Sequence, residues 1–175
     1  MTLIARHGPA WTYIDYHQFL LMKPDQQDYV PEEAGRLLST TGEGVLVHTG
    51  IANGNVAVHI EIHDHQPPLD DADWEEVAEA STKVEHGPLM VRCLTADPPA
   101  LPMLTPAGPG TYRLRAHARG RDIAYDGCVS RSPEVYLIQI WPAPRAQTDR
   151  PVRQRPAPPR TPRRGVATPA LFRDR

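Results

Sequence analysis

From Thr111 to Arg119 apolar and polar residues alternate without a break. Tyr112, Leu114, Ala116 and Ala118 fall on one side; Arg113, Arg115, His117 and Arg119 fall on the other. A period of two marks a half-buried strand, because successive side chains point to opposite faces of a sheet. A second run, Glu134 to Trp141, is β-branched and aromatic, as a well-covered strand is, and Pro142 ends it. The segment between them, Gly120 to Pro133, is polar and holds Gly127, Ser130, Ser132 and Pro133, so it reads as a loop. The two runs therefore predict the central hairpin of an all-β domain.

The same reading extends along the chain. Trp11 to Met22 reads as one first strand, ended by Lys23-Pro24-Asp25. Tyr29 to Thr41 is ambiguous: Pro31-Glu32-Glu33-Ala34 has the proline and acids that open a short helix, and Gly35 argues against a long one. Gly44 to Thr49 and Asn55 to His63 are two further strands, and Asn53-Gly54 between them predicts a tight hairpin. Trp74 to Ser81 has helical propensity but alternates as an edge strand does, and strand is preferred because its neighbours are strands. Pro88 to Leu94 is another strand. Five prolines between Asp97 and Pro109 make that stretch an extended connector, since proline offers no amide to a ladder. About seven strands with turn signals roughly every ten residues predict an antiparallel β-sandwich.

Composition adds a boundary. The chain of 175 residues carries a net charge of −2, unevenly distributed. Residues 145–175 hold nine Arg against Asp149 and Asp174, a net of +7, which leaves −9 on residues 1–144. Eight of the 20 prolines follow Trp141, with almost no periodic apolar pattern. The expectation is a sandwich domain over 1–144 and a disordered, basic Pro/Arg-rich tail over 145–175. No apolar run is long enough to span a membrane as a helix, and the first residues lack a signal-peptide layout, so a cytoplasmic protein is expected. In that setting Cys93 and Cys128 read as thiols rather than a disulfide.

Three groups could carry chemistry. His59, Glu61 and His63 share one face of a strand, about 7 Å apart in succession, with His65 just beyond. Imidazole and carboxylate ligate first-row metals, so this cluster offers a divalent-metal, cupin-like enzyme as the alternative to a plain solvent-facing strand side. Arg113, Arg115, His117 and Arg119 could bind phosphate, but an acidic body favours pairing with Glu61 or with Glu75, Glu76 and Glu79 on neighbouring strands. Asp70, Asp71, Asp73, Glu75 and Glu76 form an acidic stretch that could steer a basic protein onto this surface. No glycine-rich phosphate loop, GxSxG or spaced Cys-His pair is present.

Tyr13-Ile14-Asp15-Tyr16-His17-Gln18-Phe19, Pro109-Gly110-Thr111-Tyr112-Arg113-Leu114 and Tyr136-Leu137-Ile138 resemble the competence protein ComJ family over about residues 10–142. The resemblance implies a small all-β inhibitor of a DNA-entry nuclease. It implies a non-enzymatic protein-binding module, and the basic tail is a departure from the family pattern. With the charge distribution, the expectation is that Asp70, Asp71, Asp73, Glu75 and Glu76 meet a basic cleft on a protein partner, with no cofactor. The tail itself could contact nucleic acid or an acidic surface.

Overall fold

The computed structural model describes residues 2–27, 29–30, 33–34, 36–69, 73–144 and 151–154. Among them are twelve strands and no helix. They are β1 (Leu3–Ile14), β2 (Gln18–Met22), β3 (Glu33–Ala34), β4 (Leu38–Thr41), β5 (Gly44–His48), β6 (Asn53–His63), β7 (Glu76–Val84), β8 (Met90–Arg92), β9 (Gly110–Arg119), β10 (Cys128–Val129), β11 (Val135–Pro142) and β12 (Pro151–Gln154). Seven form one sheet in the order β1-β6-β11-β9-β7-β12, with β10 also on β6; five form a second, β3-β4-β5-β2-β8.

The predicted hairpin lies at the centre of the larger sheet, with Ile138 opposite Ala116 in an antiparallel ladder. That sheet is mixed rather than wholly antiparallel, because β11 and β10 both run parallel to β6. The parallel pairs follow from the route: after β9 the chain passes through β10 before it returns as β11.

One apolar cluster joins the two sheets. Val58, Ile60, Leu114, Ala116, Ile138 and Ile140 from the larger sheet meet Phe19, Leu21, Val45 and Val47 from the smaller. Phe19 and Tyr136 cross the gap edge to face, with ring centroids 5.5 Å apart. Such a pair adds roughly 0.5–1.5 kcal/mol beyond its buried area.

Three local expectations are corrected. The run read as one strand from Trp11 breaks at Asp15-Tyr16-His17 into β1 and β2, which lie in different sheets. In the ambiguous stretch from Tyr29 to Thr41, Glu33–Ala34 form the short β3 and Leu38–Thr41 form β4 rather than a helix; Pro31, Glu32 and Gly35 lie outside the described residues. The two runs are strands, β5 over Gly44–His48 and β6 over Asn53–His63, but no hairpin joins them: they also belong to different sheets. The 50–54 link is a crossover. Glu134 anchors it, accepting hydrogen bonds from Gly50 N (3.0 Å) and Ile51 N (2.7 Å) while Tyr136 Oη donates to the same carboxylate at 2.5 Å. Burial, with Glu134 alongside, pushes the Tyr136 hydroxyl well above its ordinary pKa. Only glycine fits at two points of this crossover. A Cβ on Gly50 would stand 1.9 Å from Arg121 O, and one on Gly54, at φ +131°, 1.7 Å from Val129 O.

The strand preference at Trp74–Ser81 agrees with β7, and both cysteines are free thiols, Cys93 buried and Cys128 exposed. Of the stretch assigned to the tail, Pro151–Gln154 pair antiparallel with β7; residues 145–150 and 155–175 lie outside the described residues. No helix among the described residues is long and apolar enough to cross a membrane.

Candidate binding surface

The alternation along β6, β9 and β11 puts polar residues on the outer face of the larger sheet, and the register lines them up. Arg6, Glu61, Gln139, Arg115 and Glu79 stand opposite one another across β1, β6, β11, β9 and β7. Their side chains form a continuous chain of bonds. Arg6 Nε donates to Glu61 Oε1 (2.9 Å), Gln139 Nε2 to Glu61 Oε2 (2.8 Å), Arg115 Nη1 to Gln139 Oε1 (3.3 Å) and Arg115 Nε to Glu79 Oε1 (2.7 Å). Arg113 reaches Glu79 Oε2 from the next position (Nη2, 3.1 Å). The connection after β6 lies over this row, its Pro67 and Pro68 carbonyls accepting from Arg115 Nη1. Of the basic row, Arg113 and Arg115 are paired with Glu79 as the charge balance predicted and are buried with His117, whereas Arg119 is exposed.

The candidate metal ligands divide. His59, Glu61 and His63 do share a face, and His63 Nε2 lies 3.1 Å from Glu61 Oε2. Burial works to raise the Glu61 pKa, but hydrogen bonds from Gln139, His63 and Arg6 outweigh it and hold the carboxyl below its ordinary value. His59 is half-buried, and His65 is exposed beside Asp64 (3.1 Å). The four do not converge. Among the described residues the donors within 4.8 Å of one another are those of Glu43, Glu85 and His86, where Lys23 pairs with Glu43 and Lys83 with Glu85.

The acidic stretch is dispersed as well. Asp70 and Asp71 lie outside the described residues, and Asp73 is exposed. Glu75 Oε2 accepts from Gly120 N (2.9 Å). Glu76 is corrected from a surface group to an interior one. It is 3% exposed, and its two oxygens bind Arg121 Nη1 (2.6 Å) and Arg36 Nη2 (3.0 Å). The reason is its place on the inward face of β7, opposite Ala118, whereas Val77 takes the outward place opposite His117.

A surface the sequence reading passed over lies at one end of the sandwich, where three turns are laced together. Backbone bonds run from His17 N to Ala52 O (3.2 Å), Thr49 N to His17 O (2.8 Å), Ala52 N to Gly127 O (2.9 Å) and Asp126 N to Gly50 O (2.8 Å). Tyr16, His17 and Asp126 hold left-handed backbone at φ 51°, 60° and 59°. Non-glycine residues adopt this region at a cost, and such residues gather at functional sites. The laced turns leave Tyr16 75%, Ile123 73% and Tyr125 64% exposed. Asp126 Oδ1 meets His17 Nε2 at 3.2 Å, and Asp15 and Asp122 flank the aromatic residues in sequence. The signal was present in the sequence: Ile123 and Tyr125 are apolar residues inside a polar, glycine-bounded loop, and Asp15 interrupts an otherwise β-branched run.

Two facing sheets, a parallel β6–β11 pair at the heart of the larger one and no helix among the described residues define a two-layer all-β fold of ComJ type. The chain is similar to the crystal structure of ComJ, inhibitor of the DNA degrading activity of NucA, from Bacillus subtilis: TM-score 0.55 and 12% identity, over 81% of this chain and 98% of that one. It also aligns with a protein described as crocagin biosynthetic gene J, at TM-score 0.48 and 14% identity, over 81% of this chain and 100% of that one. No family model and no curated protein matches the sequence.

Proposed function

We propose that this chain is a non-enzymatic protein-binding module of the nuclease-inhibitor kind, and that the laced-turn end of the sandwich is its binding surface. The observation that carries the reading is the exposure of Tyr16, Ile123 and Tyr125 on a hydrogen-bonded backbone. Tyrosines fixed in this way supply contact area with little entropy left to lose, the quality that makes aromatic residues dominate interface energetics. Asp15, Asp122 and Asp126 give the surface an acidic edge, and a nuclease cleft is basic because it must receive phosphates. Asp73, with Asp70 and Asp71, adds charge that steers the encounter, while Glu75 and Glu76 serve the fold. The similarity to ComJ supports the same reading.

The test is DNA degradation by the nuclease fraction of the source cells, measured with and without added full-length chain. Dose-dependent inhibition is expected. Replacing Tyr16 and Tyr125 together by Ala should weaken it by at least roughly 30-fold, the size of one hot-spot loss. Asp73→Lys should slow association without changing dissociation. Absence of inhibition by the wild-type chain, or full inhibition by the double variant, rejects the reading.

A further inference from the structure

The outer face of the larger sheet is covered over the Arg115 row and over the adjoining row of Leu137 and His117. The next set of facing residues is Trp11, Ala57, Val135 and Arg119 on β1, β6, β11 and β9, exposed at its two ends and covered at Ala57. Three interstrand steps separate its ends, about 14 Å. At one end the Arg131 guanidinium lies 4.6 Å from the centroid of the Trp11 ring; at the other, Arg119 lies 5.3 Å from that of Trp74. Between them the floor is small and apolar. The result is a shallow trough with a stacked indole–guanidinium pair on each bank.

Its charge is positive. Arg119 and Arg131 are exposed, and no carboxylate lies within 4 Å of either among the described residues. His59, in the adjoining row, registers the local field: burial first, and then the Arg119 and Arg6 guanidiniums, hold its pKa below the ordinary histidine value. The Arg6 charge is matched by the buried Glu61. On the same sheet, Pro151–Gln154 pair with β7.

We propose that this trough binds single-stranded nucleic acid, with bases stacking on the two indole–guanidinium pairs and phosphates held by Arg119 and Arg131. Trp11 is exposed, and at the other bank the half-buried Trp74 ring, packed on His117 with centroids 5.4 Å apart, carries the exposed Arg119 guanidinium; aromatic rings interleaved with cations on a sheet face are the elements of a sequence-tolerant single-strand platform. A duplex buries its base faces and cannot use the indoles. An acidic peptide would satisfy the arginines and leave the aromatic banks idle. The body's overall charge of −9 opposes any polyanion, so binding is expected in the micromolar range at low salt.

The experiment is fluorescence anisotropy of the full chain with a labelled oligothymidylate of about 15 nucleotides at about 50 mM salt. Saturable binding that weakens log-linearly with salt is expected. Trp11→Ala with Arg131→Ala should weaken it at least roughly tenfold while the thermal midpoint stays near wild type, one base stack being worth about that factor. A duplex of the same length and a polyglutamate peptide should each bind at least roughly tenfold more weakly than the single strand. No saturable binding, a double variant that binds as wild type (the arginine-rich segment then acting alone), or tighter capture of the duplex or the peptide overturns the proposal. Because Tyr16 and Tyr125 take no part, the nuclease-inhibition assay reads a separate surface.

Discussion

The Arg115 row and the laced-turn end draw on the same kinds of side chain, acids, cations and rings, and dispose of them in opposite ways. In the row every charge answers a neighbour, on rigid central strands beneath a roof of proline carbonyls. At the turns the backbone is what is satisfied, and the side chains of Tyr16, Ile123 and Tyr125 stand out into water. The lesson is that a patterned run of charges on a strand is not thereby a site: a sheet brings alternate residues face to face, and opposite charges so placed neutralise one another. Side chains that the fold holds firmly yet does not use for its own cohesion are the better mark of a surface meant for something else.

The contrast breaks most sharply at Arg115, which is 3% exposed and bonded to Glu79, Gln139 and two carbonyls. Arg115→Ala should cost about 3–5 kcal/mol in urea denaturation, because it breaks a buried ion pair, leaving Glu79 to Arg113 alone and the Gln139 and proline acceptors without their donor. A loss below about 1 kcal/mol would mean that the row is solvated, as exposed pairs are, and that the contrast is false. Next in size is Glu134→Gln. The amide keeps one acceptor but turns an N–H toward the donors of the 50–51 crossover, so a loss of about 1–3 kcal/mol is expected. That loss should come with weaker nuclease inhibition, since Gly50 and Ala52 hold the other turns in place. Unchanged inhibition in this variant would detach the binding surface from its scaffold.

The paired replacement of Tyr16 and Tyr125 by Ala reverses the sign of the comparison. Stability should stay within about 0.5 kcal/mol per site, as for exposed positions generally, while inhibition falls. A large drop in thermal midpoint would show that the rings pack rather than wait for a partner.

How much of this could be read from the residues follows from how local each determinant is. The alternation from Thr111 to Arg119 announced its strand because side-chain period is a local property, and the pairing of Arg113 and Arg115 with Glu79 followed from charge balance. The sandwich class was legible for the same reason. Sheet membership was not. Asn53-Gly54 carries a hairpin signal, yet the chain crosses to the other sheet there because Glu134, some eighty residues away, takes the Gly50 and Ile51 amides. Glu76 looked like part of an acidic surface because Asp73, Glu75 and Glu76 lie so close in sequence; only the β7–β9 register turns it inward onto Arg121 and Arg36. The laced turns escaped notice because the left-handed residues Tyr16, His17 and Asp126 are neither glycine nor all asparagine-like, and their partners lie on distant loops.

The finest distinction between the two regions is in their response to acid. Glu61 belongs to the row, and its folded pKa lies below the ordinary 4.5 because three donors outweigh the effect of burial. A carboxyl whose pKa is depressed on folding contributes stability above the unfolded value, and that contribution fades as pH falls through the folded one. Wild-type stability should therefore drop with acidification below about pH 4.5, and Glu61→Gln, which cannot titrate, should show a shallower acid limb from a lower starting point. Inhibition by the laced-turn surface, measured above that range, should be the same for both proteins. Urea midpoints taken across the limb decide the matter: parallel curves for the two would mean that the carboxylate at the centre of the row is no more tightly held folded than unfolded, and the row would lose its claim to be a closed network.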